Sequence, residues 1–241
     1  MKLGLIADIH GNSTALTAVL AALQAEAVDH IICLGDVATL GAQPAQAVDL
    51  LIQHNIPLVQ GNHEAALFNL NNTVAYSLAP QFRPMLEWCY QQLSPVQLDY
   101  LANAPQTISP HPNILCYHGS PHSNIQGILP TTTLAQLDII FPAPRPTILI
   151  GAHTHYQMLR PFDGSLIINP GSVGVPFRHP PQPGVTPQLL PWAEYAILTH
   201  TPNHTHVDLR RLRYPLPAYH QAILATNYPD KTWLANQYNL I

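Results

Sequence analysis

The chain has 241 residues, 47% of them hydrophobic, which is enough to bury a sizeable core as one domain. Charged side chains make up only 9%, nine Lys plus Arg against thirteen Asp plus Glu, so the positive field that argues for a groove-bound nucleic acid is missing. The opening LGLIA is too short for a signal-peptide core, and no run approaches the roughly 18 apolar residues of a membrane span, so the expectation is a soluble, cytoplasmic protein.

In chain order, the apolar run LGLIADIH (3–10) reads as a buried strand that stops at Asp8 and His10. Residues 12–27 have helical apolar spacing, with Asn12 and Ser13 as N-cap candidates. A second apolar run (30–36) ends in Asp36, and Pro44 suits the first turn of a helix over 44–54. A third run (56–64) ends in Asn62, His63 and Glu64. Strand, helix, strand, helix, strand predicts right-handed crossovers and a largely parallel sheet. The stretch 64–103 looks helical, and sheet-like runs return at 113–120, 147–155 and 165–172. Six prolines make 176–191 a loop. An antiparallel strand pair and a short helical tail are expected over 194–241, so the reading is a single domain over 1–241 with its motif core in 1–174. Cys33, Cys89 and Cys116 show no CxxC spacing and read as fillers rather than as metal or redox groups.

Five apolar runs therefore end in polar donors: Asp8 and His10, Asp36, Asn62 and His63, His118, then His153 and His155. In a parallel α/β sheet the carboxyl ends of the strands share one edge, where ligands bind. Two Asp, one Asn and several His form an oxygen and nitrogen set with no thiolate, suited to Mn, Fe, Zn, Ni or Co. Seven such donors, with His63 set aside, exceed the needs of one ion, and two ions sharing a carboxylate account for them. Residues two apart in extended chain face the same way, so Asp8 and His10 are expected to address one ion.

These residues carry a resemblance. DIH at 8–10, GD at 35–36, GNHE at 61–64, YHGS at 117–120 and AHTH at 152–155 stand in the order found in the calcineurin-like metallophosphoesterase superfamily. With GDVATLGAQP, HGSP and NPGSVG, the chain resembles its small bacterial and archaeal phosphodiesterase-like branch. The resemblance implies an α/β fold with two β-sheets packed face to face between helices. It implies one divalent ion on Asp8, His10 and His155, a second on Asn62, His118 and His153, and Asp36 bridging them. His63 then stands as general acid or as a stabiliser of transition-state charge; the residue that orients it is left open, Glu64 being a candidate by adjacency alone. The implied chemistry is in-line attack on phosphorus by metal-activated hydroxide, Mn being the ion expected for activity. The implied substrate is a small phosphate ester or a nucleotide, with a diester favoured. A phosphomonoesterase or nucleotide pyrophosphatase, or a catalytically silent scaffold on the same fold, are the competing readings. The chain departs from the family pattern at Ala152, where Gly is usual, and no Arg follows Asp36, which sets it apart from the protein Ser/Thr phosphatase branch.

His122, four residues after His118, and Arg178, at the start of the proline-rich loop, are candidate substrate contacts. HTH recurs at 204–206 without a preceding buried run, so His200, His204 and His206 read as surface hairpin residues. In NPGS (169–172), Gly171 is assigned to backbone geometry and Asn169 to a local hydrogen bond.

Overall fold

The computed structural model describes residues 1–182, 184–185 and 187–238. Its strands are β1 (Lys2–Ile6), β2 (His30–Cys33), β3 (Thr107–His111), β4 (Ile114–Tyr117), β5 (Ile148–Ile150), β6 (Met158–Phe162), β7 (Ser165–Asn169), β8 (Ala193–Thr201) and β9 (His204–Leu212). Its helices are α1 (Ser13–Ala25), α2 (Pro44–Gln53), α3 (Asn62–Leu67), α4 (Arg83–Gln92), α5 (Pro95–Ala102), α6 (Leu134–Ile140), α7 (Leu216–Ala225) and α8 (Lys231–Gln237).

Alternation along the strands decides how the layers stack. Leu3 and Leu5 of β1 join Ile114 and Cys116 of β4, Ile148 and Ile150 of β5 and Ile168 of β7 in one buried cluster between two sheets. Ile6, on the opposite face of β1, packs with Leu16, Val19 and Leu23 of α1. The outward residues Tyr117, Leu149 and Ile167 of the second sheet are covered by Leu137 and Ile140 of α6. Two face-packed sheets between helices result, as the family resemblance implied.

The first sheet runs β2-β1-β8-β9 and the second β3-β4-β5-β7-β6. Parallel pairing joins β1 to β2, β4 to β5 and β5 to β7, and every other strand pairing is antiparallel. Both sheets are therefore mixed, not largely parallel. One cause is β8, which comes from far along the chain and lies between β1 and its hairpin partner β9. Another is the third apolar run, which yields only a bridge between Leu58 and Cys33 before α3 begins. Pro57 has no N–H to donate there, and Gln60 N turns away to the Pro105 carbonyl.

The α1 N-cap is Asn12, whose side chain accepts from Ala15 N at 3.0 Å. The helical middle, the β8–β9 hairpin and the helical tail stand where the periodicity predicted them. Two edge strands, β3 and β6, and the seven-residue α6 were not foreseen. The edge strands carry Pro110 and Pro161 and lack a clean apolar alternation. No described helix is long and apolar enough to cross a membrane.

Candidate metal centre

Strand ends from both sheets converge. Asp8 and His10 follow β1, Asp36 follows β2, His118 follows β4, and His153 and His155 follow β5, while Asn62 and His63 open α3. The backbone at five of these positions is left-handed: Asp8 (φ 51), His10 (φ 46), Asp36 (φ 58), His153 (φ 68) and His155 (φ 54). Asp8 and His10 thus reach the centre from successive left-handed bends, not from an extended chain as their spacing suggested. Such a backbone costs an ordinary residue roughly 1–2 kcal/mol, and its concentration here marks a site whose geometry is imposed by its surroundings. Pairing between the two loops supplies part of that constraint: Asp8 N, His10 N and Gly11 N donate to the carbonyls of Gly35, Asp36 and Val37 at 3.0, 3.0 and 2.8 Å. Gly35 (φ +101) lets the second loop pass under His118, where a Cβ would come within 2.7 Å of Nδ1.

Two ligand-competent groups form. Asp8, His10, Asp36 and His155 offer one ligand atom each, all within 4.8 Å of one another, and Asp36, His118 and His153 do the same. Asp36 belongs to both. Its Oδ2 lies 3.3 Å from His118 Nε2, 3.8 Å from His10 Nε2 and 3.9 Å from His63 Nε2. Asn62 completes the second group, its Oδ1 standing 3.0 Å from both His118 Nε2 and His153 Nδ1.

A second layer of contacts fixes the rings. His10 Nδ1 donates to the Thr39 carbonyl (3.1 Å), His118 Nδ1 to the Leu34 carbonyl (2.6 Å) and His155 Nδ1 to the Val175 carbonyl (2.9 Å), so each turns Nε2 inward. His10 Nε2 and His155 Nε2 then face each other across 3.2 Å. Burial lowers the pKa of both rings, so two lone pairs point at one spot. Both oxygens of the fully buried Asp8 lack a hydrogen-bond partner, and Asp8 Oδ1 lies 3.7 Å from His155 Nε2. Among the described residues nothing satisfies these donors, and a divalent cation does. The set therefore fits a metal.

The electrostatics agree. Burial pushes Asp8 well above the usual carboxylate range. Burial acts on Asp36 in the same sense, yet the imidazoles around it, His118 foremost, hold it well below. His118 is raised to about 9 against its burial by Asp36 and Asp8, whereas burial takes His63 down to about 3 and His153 to about 4.

Glu64 does not orient His63. Its carboxylate accepts from Asp36 N (2.8 Å), Val37 N (2.8 Å) and Gly61 N (2.9 Å), tying the α3 entry to the Asp36 loop. The residue on His63 is Thr39, whose Oγ1 lies 2.6 Å from His63 Nδ1. Asp36 Oδ1 also accepts from His63 N at 3.0 Å. Thr39 escaped sequence reasoning because a lone Thr in a loop carries no spacing signal.

Neither candidate substrate contact is among the residues that gather into the two donor groups. His122 is exposed on the turn after β4. Arg178 is exposed and lines a cavity of about 720 Å³ together with Arg213. Its neighbour Phe177, bridged to Leu189 in extended chain, points the other way and stacks on His155, ring centroids 4.5 Å apart at 19°. Phe177 lines a cavity of about 460 Å³ floored by His10 and His155. The second HTH lies on the β8–β9 hairpin with His204 and His206 exposed, as expected. Gly171 has φ +80, and its N–H donates to Asn169 Oδ1 at 2.9 Å, as expected.

Comparison with known proteins agrees with this geometry. Residues 1–187 match the calcineurin-like phosphoesterase superfamily domain. The chain is 24% identical to the uncharacterized protein MJ0912 of Methanocaldococcus jannaschii, over 98% of this chain and 96% of that one. The crystal structure of a metallophosphoesterase from Sphaerobacter thermophilus superposes with a TM-score of 0.76 at 27% identity, covering 99% of this chain and 98% of that one. The hypothetical protein PH1004 from Pyrococcus horikoshii OT3 shares the fold with a TM-score of 0.77 at 19% identity, over 98% and 96% of the two chains. A family match across 1–187 and a strand-end cluster fit for metal mean that the chain belongs to the calcineurin-like phosphoesterase superfamily and is a metallophosphoesterase.

Proposed function

We propose that the protein is a phosphodiesterase working with two divalent transition-metal ions, manganese being the ion that supports turnover. In this reading Asp8, His10, Asp36 and His155 hold one ion, Asn62, His118 and His153 the other, and Asp36 is shared. The observation that carries it is the His10–His155 pair, two lone pairs facing across 3.2 Å beside the unpartnered carboxylate of Asp8. When bound, such ions supply an acidified water for in-line attack and a Lewis acid for the phosphoryl oxygens.

The chain's own residues set the geometry and the leaving-group side. His63 places Nε2 3.9 Å from Asp36 Oδ2. Burial keeps the ring neutral, and a Thr39 hydroxyl donating to Nδ1 leaves the hydrogen on Nε2. His63 therefore donates a hydrogen bond to the leaving oxygen as charge develops there, and stabilises charge rather than passing a full proton. No Lys or Arg is among the described residues lining the cavity over His10 and His155, which favours a singly charged diester over a doubly charged monoester. The described residues act as one unit in this reading, since β8 pairs with β1, which leads into Asp8 and His10. A cytoplasmic location belongs to it as well, supported by three buried free cysteines.

The test is hydrolysis of bis-p-nitrophenyl phosphate and p-nitrophenyl phosphate by chelator-stripped protein, with and without added Mn, beside Asp36→Asn. Metal-dependent turnover, faster on the diester and abolished in the variant, is the expected result. Two bound ions with no turnover on any ester points to the silent scaffold.

A further inference from the structure

The cavity floored by His10 and His155 is built from carbon. Its walls include Leu40, Phe82, Val175, Phe177, Trp233 and Leu234, contributed by the Asp36 loop, the residues before α4, the proline-rich loop and α8. No carboxylate, Lys or Arg is among its described lining residues, and beyond the two floor imidazoles its polar side-chain groups are the Trp233 indole N–H, the Gln237 amide and the Tyr238 hydroxyl. The Tyr238 hydroxyl is already committed to the Gly174 carbonyl at 3.1 Å, and the Gln237 amide nitrogen donates to the Trp233 carbonyl at 3.2 Å. The neighbouring arginines, Arg178 and Arg213, line the adjoining cavity instead.

Resting on the phosphodiesterase reading, we propose that this chamber is the subsite for one organic group of the ester. We infer further that the group is flat, uncharged and mainly apolar, an aryl alcohol of one or two rings. Three features select that chemistry. The volume, about 460 Å³, lies in the range of small-molecule sites, far beyond a methyl or ethyl group. Phe177 lies nearly parallel to the floor imidazole of His155, at 19°, and Phe82 and Trp233 form a further aromatic pair with centroids 6.4 Å apart, so the walls offer ring faces. A nucleoside requires several hydrogen-bond partners for its sugar and base edges, and the walls offer little beyond the Gln237 amide and the Trp233 indole N–H. Water covering these walls is displaced at a gain by an apolar ring, and a charged or heavily hydroxylated group there loses hydrogen bonds it cannot replace.

The experiment is calorimetric titration of the Mn-loaded full chain with methylphosphonate, 1-naphthylphosphonate and thymidine 5′-monophosphate, which share an anionic phosphorus group and differ in what it carries. Naphthylphosphonate is expected to bind at least about 30-fold more tightly than methylphosphonate, given the apolar area a fused ring pair buries. Trp233→Ala, on the wall that α8 contributes, is expected to cut that ratio about tenfold, and Phe177→Ala to cut it similarly. Phe177 touches His155, so the ratio within each variant is read, not the absolute affinity. Equal affinities for the methyl and naphthyl ligands, or a preference that survives both variants, overturns the assignment. Tighter binding of the nucleotide than of the naphthyl ligand overturns it in favour of a base-binding chamber. Failure of all three to bind, with two metals loaded and no hydrolysis of bis-p-nitrophenyl phosphate, instead sinks the phosphodiesterase reading on which it stands.

Discussion

Thr39 Oγ1 stands 2.6 Å from His63 Nδ1, on the ring edge opposite the nitrogen that faces Asp36. A hydroxyl both donates and accepts, so this contact supports the ring in either protonation state. The Thr39 carbonyl meanwhile takes the Nδ1 hydrogen of His10. One residue thus aims two imidazoles.

Thr39→Val keeps the shape and deletes the hydroxyl. Its kcat on bis-p-nitrophenyl phosphate is expected to fall about 10–100-fold with KM little changed, as for other outer-layer partners of a metal site. Thr39→Ser should recover most of the loss, since it restores the donor. A rise in KM with kcat intact would show that the hydroxyl serves binding instead.

The unpartnered carboxylate of Asp8 gives a test of metal binding that needs no substrate. Wild-type protein is expected to gain thermal stability on adding Mn, about 2.7 kcal/mol at a hundred times the dissociation constant. Asp8→Asn removes a carboxyl group whose ionised form is penalised by burial and whose oxygens are unpartnered without metal. The chelated variant is therefore expected to be at least as stable as the chelated wild type and to gain much less from the ion. Calorimetric melting of the four samples checks this, and equal gains would remove Asp8 from the ligand set.

Glu194 connects acidity to stability away from the ligands. Burial raises its carboxyl to about 7 against the pull of Arg211, 2.9 Å away, and its Oε2 has no partner. The folded chain thus holds a proton that the unfolded chain, with an ordinary value of 4.5, releases. Stability from this group is complete below the unfolded value and falls as pH rises through the folded one. Glu194→Gln should flatten the decline of melting temperature between pH 4.5 and about 7 relative to wild type. An unchanged slope would show that the carboxyl is ionised throughout.

Gly35→Ala combines a forbidden backbone with a collision at His118. A cost of about 1–3 kcal/mol is expected for the strain alone. Elemental analysis should show the ion assigned to Asn62, His118 and His153 depleted, since the methyl group pushes His118 off its contact with the Leu34 carbonyl. Full metal content would mean that the loop absorbs the methyl group.

Most of the donor cluster was legible in the sequence because its side chains sit where apolar runs stop, and that signal is local. Asp8, Asp36, His118 and His155 could each be placed from the residues just before them. The left-handed bends at Asp8 and His10 were not, because φ is imposed by pairing with the Gly35–Val37 loop, which lies more than twenty residues away. Thr39, Phe177 and the true task of Glu64 were hidden for a related reason: each acts through a contact made only when separate loops meet. The mixed sheets were missed because β8 reaches β1 from far along the chain.

That last pairing sets an order on how the protein is made. Lys2 leaves the ribosome long before its partner Thr199 has been added. At ordinary rates of synthesis the wait between them is roughly ten to forty seconds. Throughout it the edge of β1 away from its neighbour β2 stands open, and the strand that leads into Asp8 and His10 has no partner on that side. The centre is begun early and closed late, so a chain stalled before Ala193 already holds all seven donor residues of the cluster, three of them at strand ends of a sheet it cannot finish.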